Sequence, residues 1–215
     1  MNQNLVKLEQ KLTIAVPSGE RSQDYALEIL RAAGLEIPDF RGSRSLSHDF
    51  GNLRILEVKD PDVPVYVDLG VADCGIVGKD WILESGRDVF EPLDLGGEKY
   101  RLSLIGIKNA NNRIERVASK YARTARRILS ERGIAADVIE LHGKLELAAL
   151  TGLVDAIVDV VQTGRTLKEN NLHELEVFAE LSYRLIVNRA ALKLKASTFR
   201  PLIHRLQQLQ TANQV

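Results

Sequence analysis

Two kinds of hydrophobic pattern alternate along the chain. Short apolar runs are typical of strands covered on both faces, and segments with apolar residues every three or four positions are typical of amphipathic helices. The first pattern predicts strands at 12–16, 53–58, 73–78, 101–107, 136–141 and 155–161, and two strands within 176–189 that break near Ser182. The second predicts helices between the first strand and Gly34 and at 62–70, 79–86, 121–133, 144–152 and 197–210. In the last helix we expect Ser197 or Thr198 as the cap and Pro201 in the first turn.

The alternation of strands and helices predicts the fold class. It is α/β, with a mostly parallel sheet covered by helices on both faces. A pair of glycines in "LDLGGEK" (93–99) separates two such blocks, and we predict two lobes divided there. Open α/β sheets bind ligands at the carboxyl ends of their strands. A cleft between the lobes, at those ends, is therefore the expected place for a functional site.

Composition narrows the class of protein. The 215 residues carry 29 basic and 29 acidic side chains, without the basic excess that a general nucleic-acid binder usually has. Cys74 is the only cysteine, which excludes a disulfide within the chain and fits a reducing, cytoplasmic location. The first residues lack the apolar core of a signal peptide, and no apolar run approaches the roughly 20 residues that a membrane span needs. We therefore expect no nucleic-acid partner and no membrane partner.

The segment "DAIVDVVQTGRTLKENN" (155–171) joins a predicted strand to a helix start through the residues T-G-R-T (163–166). Amides of a glycine-containing loop and threonine hydroxyls can converge on a phosphate, and the Asp159 carboxylate can accept hydrogen bonds from ribose hydroxyls. Together these groups would bind a sugar phosphate. The same residues also suit an ordinary strand-to-helix turn, and the segment taken alone leaves both interpretations open.

Two other segments carry weaker signals. "VPSGERS" (16–22) follows a strand and can offer amides to an anion at Ser18 and Gly19, although Ser18 as a helix cap is the simpler interpretation. "VADCGIVGKD" (71–80) places Lys79 at a strand end, where it suits a diphosphate or a solvated turn, and it is not a Walker motif.

Metal and acyl-transfer chemistry have little support. The four histidines lack zinc-ligand spacing and the sequence has no G-x-S-x-G elbow, so we expect no resident metal site.

Seven motifs in order resemble those of the ATP phosphoribosyltransferase family, over about residues 12–195. They are "LTIAVPSG", "DVPVYVDLGVADCGIVGKD", "LDLGGEKYRLSL", "RVASKY", "HGKLELA", "GLVDAIVDVVQTGRTLKENNL" and "RLIVNRAALK". The run 152–172 and "ADCGIVGKD" are the most specific, and the order of all seven adds to the specificity. The chain ends soon after the last motif, so it resembles the short form, which lacks the C-terminal regulatory domain of the long form.

The resemblance implies a fold and an activity. The fold is that of a type II periplasmic binding protein, with a discontinuous first lobe (1–95 with 181–215) and a second lobe (96–180) that carries the phosphoribosyl-diphosphate loop. The activity is the transfer of the 5-phosphoribosyl group from phosphoribosyl diphosphate to N1 of ATP, which releases diphosphate and opens L-histidine biosynthesis. The implied cofactor is Mg²⁺, held through the substrate diphosphate and not by protein ligands.

The resemblance also implies partners. Short forms work with a regulatory subunit that resembles histidyl-tRNA synthetase, and a homodimer within a hetero-octamer is expected. Two other functions remain open from the residues themselves. One is a two-lobed small-molecule binding protein, and the other is a weakly active or non-catalytic subunit that depends on its partner.

Site residues follow from the same resemblance. Thr163, Gly164, Arg165, Thr166 and Leu167 match the 5-phosphate loop, in which the position of Arg165 is open, so this residue is expected to contribute its backbone amide. Asp159 matches the catalytic acid that faces the ribose, and Asp155 matches the acid at the start of the strand. Roughly 13 Å separates two residues four apart on a strand, so only one can contact a ribose, and Asp159 is expected. The implied ATP and diphosphate site contains Ser18, Gly19, Arg21, Arg44, Lys59, Asp73, Lys79, Asp80, Lys120 and Glu146.

The first loop departs from the family pattern. The family usually has P-K-G-R there, and this chain has Pro17, Ser18, Gly19 and Glu20. Arg21 follows one position later. Either Arg21 substitutes for the missing arginine, or other groups hold the diphosphate, or affinity is poor without the partner.

Overall fold

The computed structural model describes residues 6–40, 42–107 and 113–212. Its strands are β1 Leu12–Pro17, β2 Ser47–Phe50, β3 Leu53–Val58, β4 Cys74–Gly78, β5 Phe90–Ile107, β6 Arg116–Ser119, β7 Asp137–Glu140, β8 Ala156–Val161 and β9 Leu172–Val187. Its helices are α1 Glu20–Ala32, α2 Val63–Asp68, α3 Lys79–Ser85, α4 Ala122–Glu131, α5 Leu145–Leu150, α6 Arg165–Glu169, α7 Arg189–Leu194 and α8 Ala196–Ala212, with a 3₁₀ turn at Asp60–Asp62. Among the described residues, no helix has the length and apolar character needed to cross a membrane.

The chain divides into two compact units. Unit 1 comprises the described residues up to Gly97 and those from Ser182 onwards, and unit 2 runs from Glu98 to Leu181. Both β5 and β9 continue from one unit into the other. Each unit therefore has strands of its own and a part of these two long strands.

Unit 1 has the strand order β2-β3-β1-β4-β9. β3, β1 and β4 are parallel, and the flanking strands β2 and β9 are antiparallel. Alternate residues of β1 point to opposite faces: Ile14 packs among residues of α1 and α8, and Ala15 packs among residues of α2 and α3. In the parallel register Pro17 lies opposite Val58. The carboxyl ends of β1, β3 and β4 therefore lie at one edge of this unit.

Unit 2 has the strand order β9-β5-β8-β6-β7. β8, β6 and β7 are parallel, and β5 runs antiparallel to β8 with Ser103 opposite Asp159. The buried residues of β8 pack against α5 and α6, which contribute Leu145 and Leu167 to the core. Because Ser119 lies opposite Val158, the next residues along these two strands, Lys120 and Asp159, reach the same edge.

The predicted fold class, α/β with parallel strands flanked by helices, is confirmed, although the antiparallel strands β2, β5 and β9 make the sheet mixed. Two details of the long strands were wrong. β5 begins at Phe90, well before the predicted start at 101, and continues through the glycine pair. β9 has no break near Ser182. The Ser182 hydroxyl donates a hydrogen bond to the Asp94 carboxylate at 2.7 Å. It therefore has a side-chain partner and does not compete with the backbone hydrogen bonds of the strand.

Three short elements were not predicted: β2, β6 and α7. β2 and β6 have four residues each, too few to show a clear hydrophobic period. The expected start of the last helix was also wrong. α8 begins at Ala196, so Thr198 and Pro201 lie inside it, and the Thr198 hydroxyl accepts a hydrogen bond from the Gln10 amide at 3.2 Å.

Candidate functional site

The turn after β8 is built around Gly164. Its φ of 70° and ψ of 8° lie in the left-handed region, which lets the chain turn from β8 into α6. An added Cβ would meet nothing closer than Val161 Cγ1 at 3.8 Å, so backbone conformation and not space requires the glycine. Leu167, 7% exposed, packs with Val161 and Ile157 in the core of unit 2. Burial of a leucine side chain contributes about 2 kcal/mol, so the loop is fixed to the strand that it follows.

This loop presents its polar groups to solvent. The side chains of Thr163, Arg165 and Thr166 are exposed. Nε of Arg165 donates to Oε1 of Glu169 at 2.8 Å, one helical turn further along. The guanidinium of Arg165 is therefore already paired, and the Arg165 amide donates to Oγ1 of Thr163 at 3.4 Å.

Asp159 lies near the carboxyl end of β8, with 19% of its side chain exposed. Its Oδ1 accepts a hydrogen bond from the Val160 amide at 2.7 Å and lies 3.1 Å from Nζ of Lys120. Burial raises the pKa of Asp159 above its ordinary value, Lys120 opposes that rise, and the charge of Glu146 adds to it. A carboxylate, an ammonium group and a second carboxylate thus form one cluster in unit 2.

Ser119 and Tyr121 hold Lys120 beside Asp159. Ser119 is fully buried, and its hydroxyl donates to the Val158 carbonyl at 2.7 Å and accepts from the Tyr121 amide at 2.9 Å. The Tyr121 ring lies with its centroid 5.3 Å from Nζ of Lys120, within range of a cation–π contact. The sequence analysis missed both residues, because a serine and a tyrosine next to a lysine carry no signal until β6 is seen to pair with β8.

Asp155 lies at the opposite end of β8 from Asp159. Its Oδ2 accepts hydrogen bonds from the amides of Glu115 and Arg116, at 3.0 and 2.8 Å. These amides hold the pKa of Asp155 below its ordinary value. The carboxylate therefore fixes the start of β6 to the start of β8.

The first loop of unit 1 is tied to neighbouring strands. The Ser18 amide donates to the Val58 carbonyl at 2.7 Å, so this amide is not offered to an anion. A Cβ on Gly19 would lie 2.9 Å from Ser22 Oγ and 3.2 Å from Asp60 Oδ1, so these two side chains would have to shift to admit it. Asp60 was not anticipated by the sequence analysis, although it follows a candidate residue directly. It adds a negative charge beside a loop that already carries an acid in place of the usual arginine.

Lys79 opens α3 directly after β4. Its Nζ lies 2.7 Å from each carboxylate oxygen of Glu91, with both side chains about one quarter exposed, at 25% and 27%. Glu91 was missed because it stands on β5, in a segment that was not recognised as a strand. Asp80 is 6% exposed. The predicted residues at the carboxyl edge of unit 1 are Ser18, Gly19, Arg21, Lys59, Lys79 and Asp80.

Asp73 does not join that group. It precedes β4 and therefore lies at the amino edge of unit 1, opposite to Lys79. Its Oδ2 accepts from the Thr13 amide and from Nζ of Lys195, both at 2.7 Å. Lys195 stands far along the chain, so no local pattern could reveal this structural role. Arg44 lies exposed in the segment before β2.

The described residues contain no cluster of three or more histidine, cysteine or acidic side chains placed to hold a metal ion. A tightly chelating protein site for Mg²⁺ is therefore not available among them. Mg²⁺ commonly keeps several waters and binds through substrate phosphates with few protein ligands. The donor set in these residues fits a metal ion that arrives with a diphosphate.

Comparisons with known proteins identify the family. The family model described as HisG, ATP phosphoribosyltransferase, matches residues 59–208. The ATP phosphoribosyltransferase of Thermus thermophilus is 53% identical over 199 residues, which cover 92% of this chain and 96% of that relative. The chain belongs to the ATP phosphoribosyltransferase family. The family resemblance expected from the seven motifs is therefore confirmed, and so is the implied class of enzyme, a pentosyltransferase of histidine biosynthesis.

Solved structures agree with this assignment. The "ATP phosphoribosyl transferase (HisG:HisZ) complex from Thermotoga maritima" matches with a TM-score of 0.81 and 30% identity, over 92% of this chain and 96% of that one. A histidine kinase sensor domain with similarity to periplasmic binding proteins matches with a TM-score of 0.60 at 12% identity, over 96% of this chain and 93% of that one. The second likeness concerns the fold alone. It supports the predicted resemblance of this ATP phosphoribosyltransferase fold to periplasmic binding proteins.

Proposed function

We propose that this chain transfers the 5-phosphoribosyl group of phosphoribosyl diphosphate to N1 of ATP, releasing diphosphate, in the first step of L-histidine biosynthesis. The observation that carries the proposal is the loop Thr163–Leu167 with Asp159 beside it. The family assignment supports the choice of substrates, and the positions of these residues at the end of β8 support the roles proposed for them.

The 5-phosphate is proposed to bind the loop after β8. Donors are the hydroxyls of Thr163 and Thr166 and the amides that the left-handed Gly164 turns toward the start of α6. A phosphate oxygen accepts such hydrogen bonds readily, and bonds to a charged acceptor are stronger than bonds between neutral groups. Arg165 contributes its amide only, because its guanidinium is paired with Glu169.

Asp159 is proposed to face the ribose. Its free oxygen can accept hydrogen bonds from the ribose hydroxyls, and its negative charge stabilises the oxocarbenium-like carbon that forms as the bond to diphosphate lengthens. N1 of adenine already carries a lone pair, so the reaction needs no strong general base. The chain therefore acts mainly by positioning and electrostatics.

The leaving diphosphate and ATP are proposed to be held by cations of unit 1. Lys79, Lys59, Arg21 and Arg44 are the candidates, and Lys79 would exchange Glu91 for the stronger charge of a phosphate. When Mg²⁺ is bound to the diphosphate it neutralises charge on the leaving group, and the family's reaction needs a divalent metal of this kind. Here Lys79 and Arg21 would contact the remaining oxygens, while Lys120 and Glu146 act at Asp159.

We further propose a regulatory partner of the HisZ type, because the similar Thermotoga maritima structure is a HisG:HisZ complex. A homodimer of this chain within a hetero-octamer is the proposed assembly. The cytoplasm is the proposed location, where both substrates are made and where the single buried cysteine would stay reduced.

The test is product formation. The purified chain is incubated with ATP, phosphoribosyl diphosphate and Mg²⁺, with and without the partner subunit, and phosphoribosyl-ATP is followed by its ultraviolet absorbance. Product is expected in both reactions, with a higher rate in the presence of the partner. Product only with the partner would indicate a dependent subunit, which the lost lysine and arginine of the first loop allow. Absence of product in both, with intact substrates, would overturn the proposal.

A further inference from the structure

The charge of Asp159 depends on two side chains of opposite sign. Nζ of Lys120, at the junction of β6 and α4, lies 3.1 Å from Oδ1 of Asp159. Glu146, in the first turn of α5, acts on the same carboxylate through its charge. One neighbour therefore favours the ionised form of Asp159 and the other favours the protonated form.

Two further charged groups of unit 2, one on β5 and one on β9, are paired with each other. On β5, Ser103 lies opposite Asp159, and its hydroxyl donates to Glu174 at 2.6 Å. The Glu174 carboxylate in turn accepts two hydrogen bonds from Arg101, at 3.0 and 2.7 Å. The opposite charges of Arg101 and Glu174 therefore largely cancel at Asp159.

Arg165, in the loop after β8, is also paired. Its guanidinium contacts Glu169, and its side chain is 84% exposed. Its field at Asp159 is screened by water and cancelled by its partner. Lys120 and Glu146 are thus the two charged side chains that act on the Asp159 carboxylate, in addition to the hydrogen bond that it accepts from the Val160 amide.

We propose that Lys120 is a positioning residue that keeps Asp159 ionised and aimed at the ribose. The proposal rests on the proposed function for the identity of the ribose, but its electrostatic part concerns the protein alone. It assigns Lys120 a role through Asp159 and not through a phosphate of the substrate.

Three observations support this role for Lys120. Its side chain is 31% exposed, so it is partly removed from water and its field reaches Asp159 with little screening. The buried Ser119 hydroxyl, bonded on both sides, fixes the backbone from which Lys120 extends. The Tyr121 ring beside the ammonium restrains it further.

Without Lys120, Asp159 would bind a proton at a higher pH. Burial and Glu146 both favour the neutral acid, and they raise the pKa of Asp159 even with Lys120 in place. A neutral carboxylic acid cannot stabilise positive charge on the ribose. Loss of Lys120 should therefore be felt most at low pH and least at high pH.

The first experiment does not require activity. The side-chain carboxyl of Asp159 is followed by carbon NMR in aspartate-labelled protein from about pH 4 to about pH 9, with Asp159→Asn used to assign its signal. In Lys120→Met the titration midpoint should rise by about one pH unit or more. Lys120→Arg should keep the midpoint near that of the unchanged protein, and Glu146→Gln should lower it. Lys144→Met, which removes an exposed lysine of the same unit, is the matched control and should leave it unchanged.

The second experiment measures kcat/KM against pH for the same variants. The acid limb of Lys120→Met should move to higher pH, and most of the activity should return above about pH 8.5, where Asp159 is ionised in every variant. If Lys120 instead bound a substrate phosphate, the loss would persist at all pH values.

The outcomes separate this proposal from the proposed function. An unchanged midpoint in Lys120→Met, or a loss of activity in this variant that does not depend on pH, would overturn the role of Lys120. Absence of product from the unchanged chain would overturn the proposed function, while the NMR titration would still decide the electrostatic part.

Discussion

Asp155 and Asp159 lie at the two ends of β8 in opposite electrostatic settings. Two backbone amides bind the Asp155 carboxylate and lower its pKa. Burial raises the pKa of Asp159, even though Lys120 lies 3.1 Å away. A single strand thus carries one carboxylate that stabilises the fold and another whose ionised form costs stability. Replacing each by asparagine should separate the two roles.

Asp159→Asn should abolish most activity and raise thermal stability at neutral pH. Removal of the charge that faces the ribose should lower kcat/KM by about 100-fold or more. A carboxyl group with a raised folded-state pKa gives its full stabilisation below its unfolded-state pKa and loses it as pH rises through the folded value. At neutral pH the buried charge is therefore a cost that asparagine lacks. Thermal unfolding by circular dichroism at about pH 7 and about pH 4 checks this, and a lower Tm at both pH values would contradict it.

Asp155→Asn should have the opposite effects: most activity should remain, and thermal stability at neutral pH should fall. The two amide hydrogen bonds lose a charged acceptor, which should lower Tm at neutral pH by roughly 2–4 °C. The folded-state pKa of Asp155 is lowered, so its contribution is present above the unfolded-state pKa and is lost as pH falls through the folded value. The Tm difference from the unchanged protein should therefore shrink on acidification. Steady-state rates should change less than about twofold, and a large loss of kcat/KM with normal folding would return Asp155 to the substrate site.

Gly164→Ala should weaken binding of phosphoribosyl diphosphate. Alanine has room at this position, but a left-handed φ of 70° costs about 1 kcal/mol for a residue with a Cβ, so the loop should relax to another conformation. Calorimetry should show an affinity loss of about fivefold. Gly133→Ala is the matched control, because Gly133 has a φ of 69° with no atom within 4 Å of an added Cβ. Equal affinities in the two variants would show that the loop conformation does not matter for the ligand.

Restoring the family pattern in the first loop should strengthen binding of diphosphate. Ser18→Lys combined with Glu20→Arg replaces two exposed side chains by cations and reverses the acidic character that Glu20 and Asp60 give this loop. The inhibition constant of diphosphate should fall by about fivefold. The decrease should be smaller at high salt, because salt screens the added charges. Glu28→Arg, which makes the same change of charge as Glu20→Arg at an exposed position of α1, should have little effect. An unchanged inhibition constant would place the diphosphate away from residues 18–21.

The apolar strands of this chain were predictable because burial on both faces leaves a direct trace in the sequence. β1, β3, β4 and β8 are short segments in which apolar residues predominate, and their predicted bounds differ little from those observed. β2 left no such trace, because it is an edge strand in which His48 alone is buried. The continuity of β9 was hidden for a related reason. Ser182 looks like a strand break, and its partner Asp94 lies 88 residues away in the chain.

The site residues were likewise predictable only where the signal is local in the sequence. The loop Thr163–Leu167 was visible because its residue types are consecutive in the sequence. The different roles of Asp73, Asp155 and Asp159 could not be predicted, because each depends on partners from distant parts of the chain. Asp73 is bound by Lys195, Asp155 by amides of β6 and its preceding residue, and Asp159 by Lys120. Sequence position could say only that Asp155 and Asp159 cannot act on one ribose.

Cys74 has a practical consequence for spectroscopy. It is the only thiol of the chain, it is fully buried at the start of β4, and burial raises its pKa well above the ordinary value. Only the thiolate reacts with maleimides and similar reagents, so the native chain should be inert to them at neutral pH. Cysteines introduced at exposed positions, one in each unit, would be labelled selectively without removing the native residue. A pair of fluorophores placed in this way could follow substrate binding in solution, one molecule at a time.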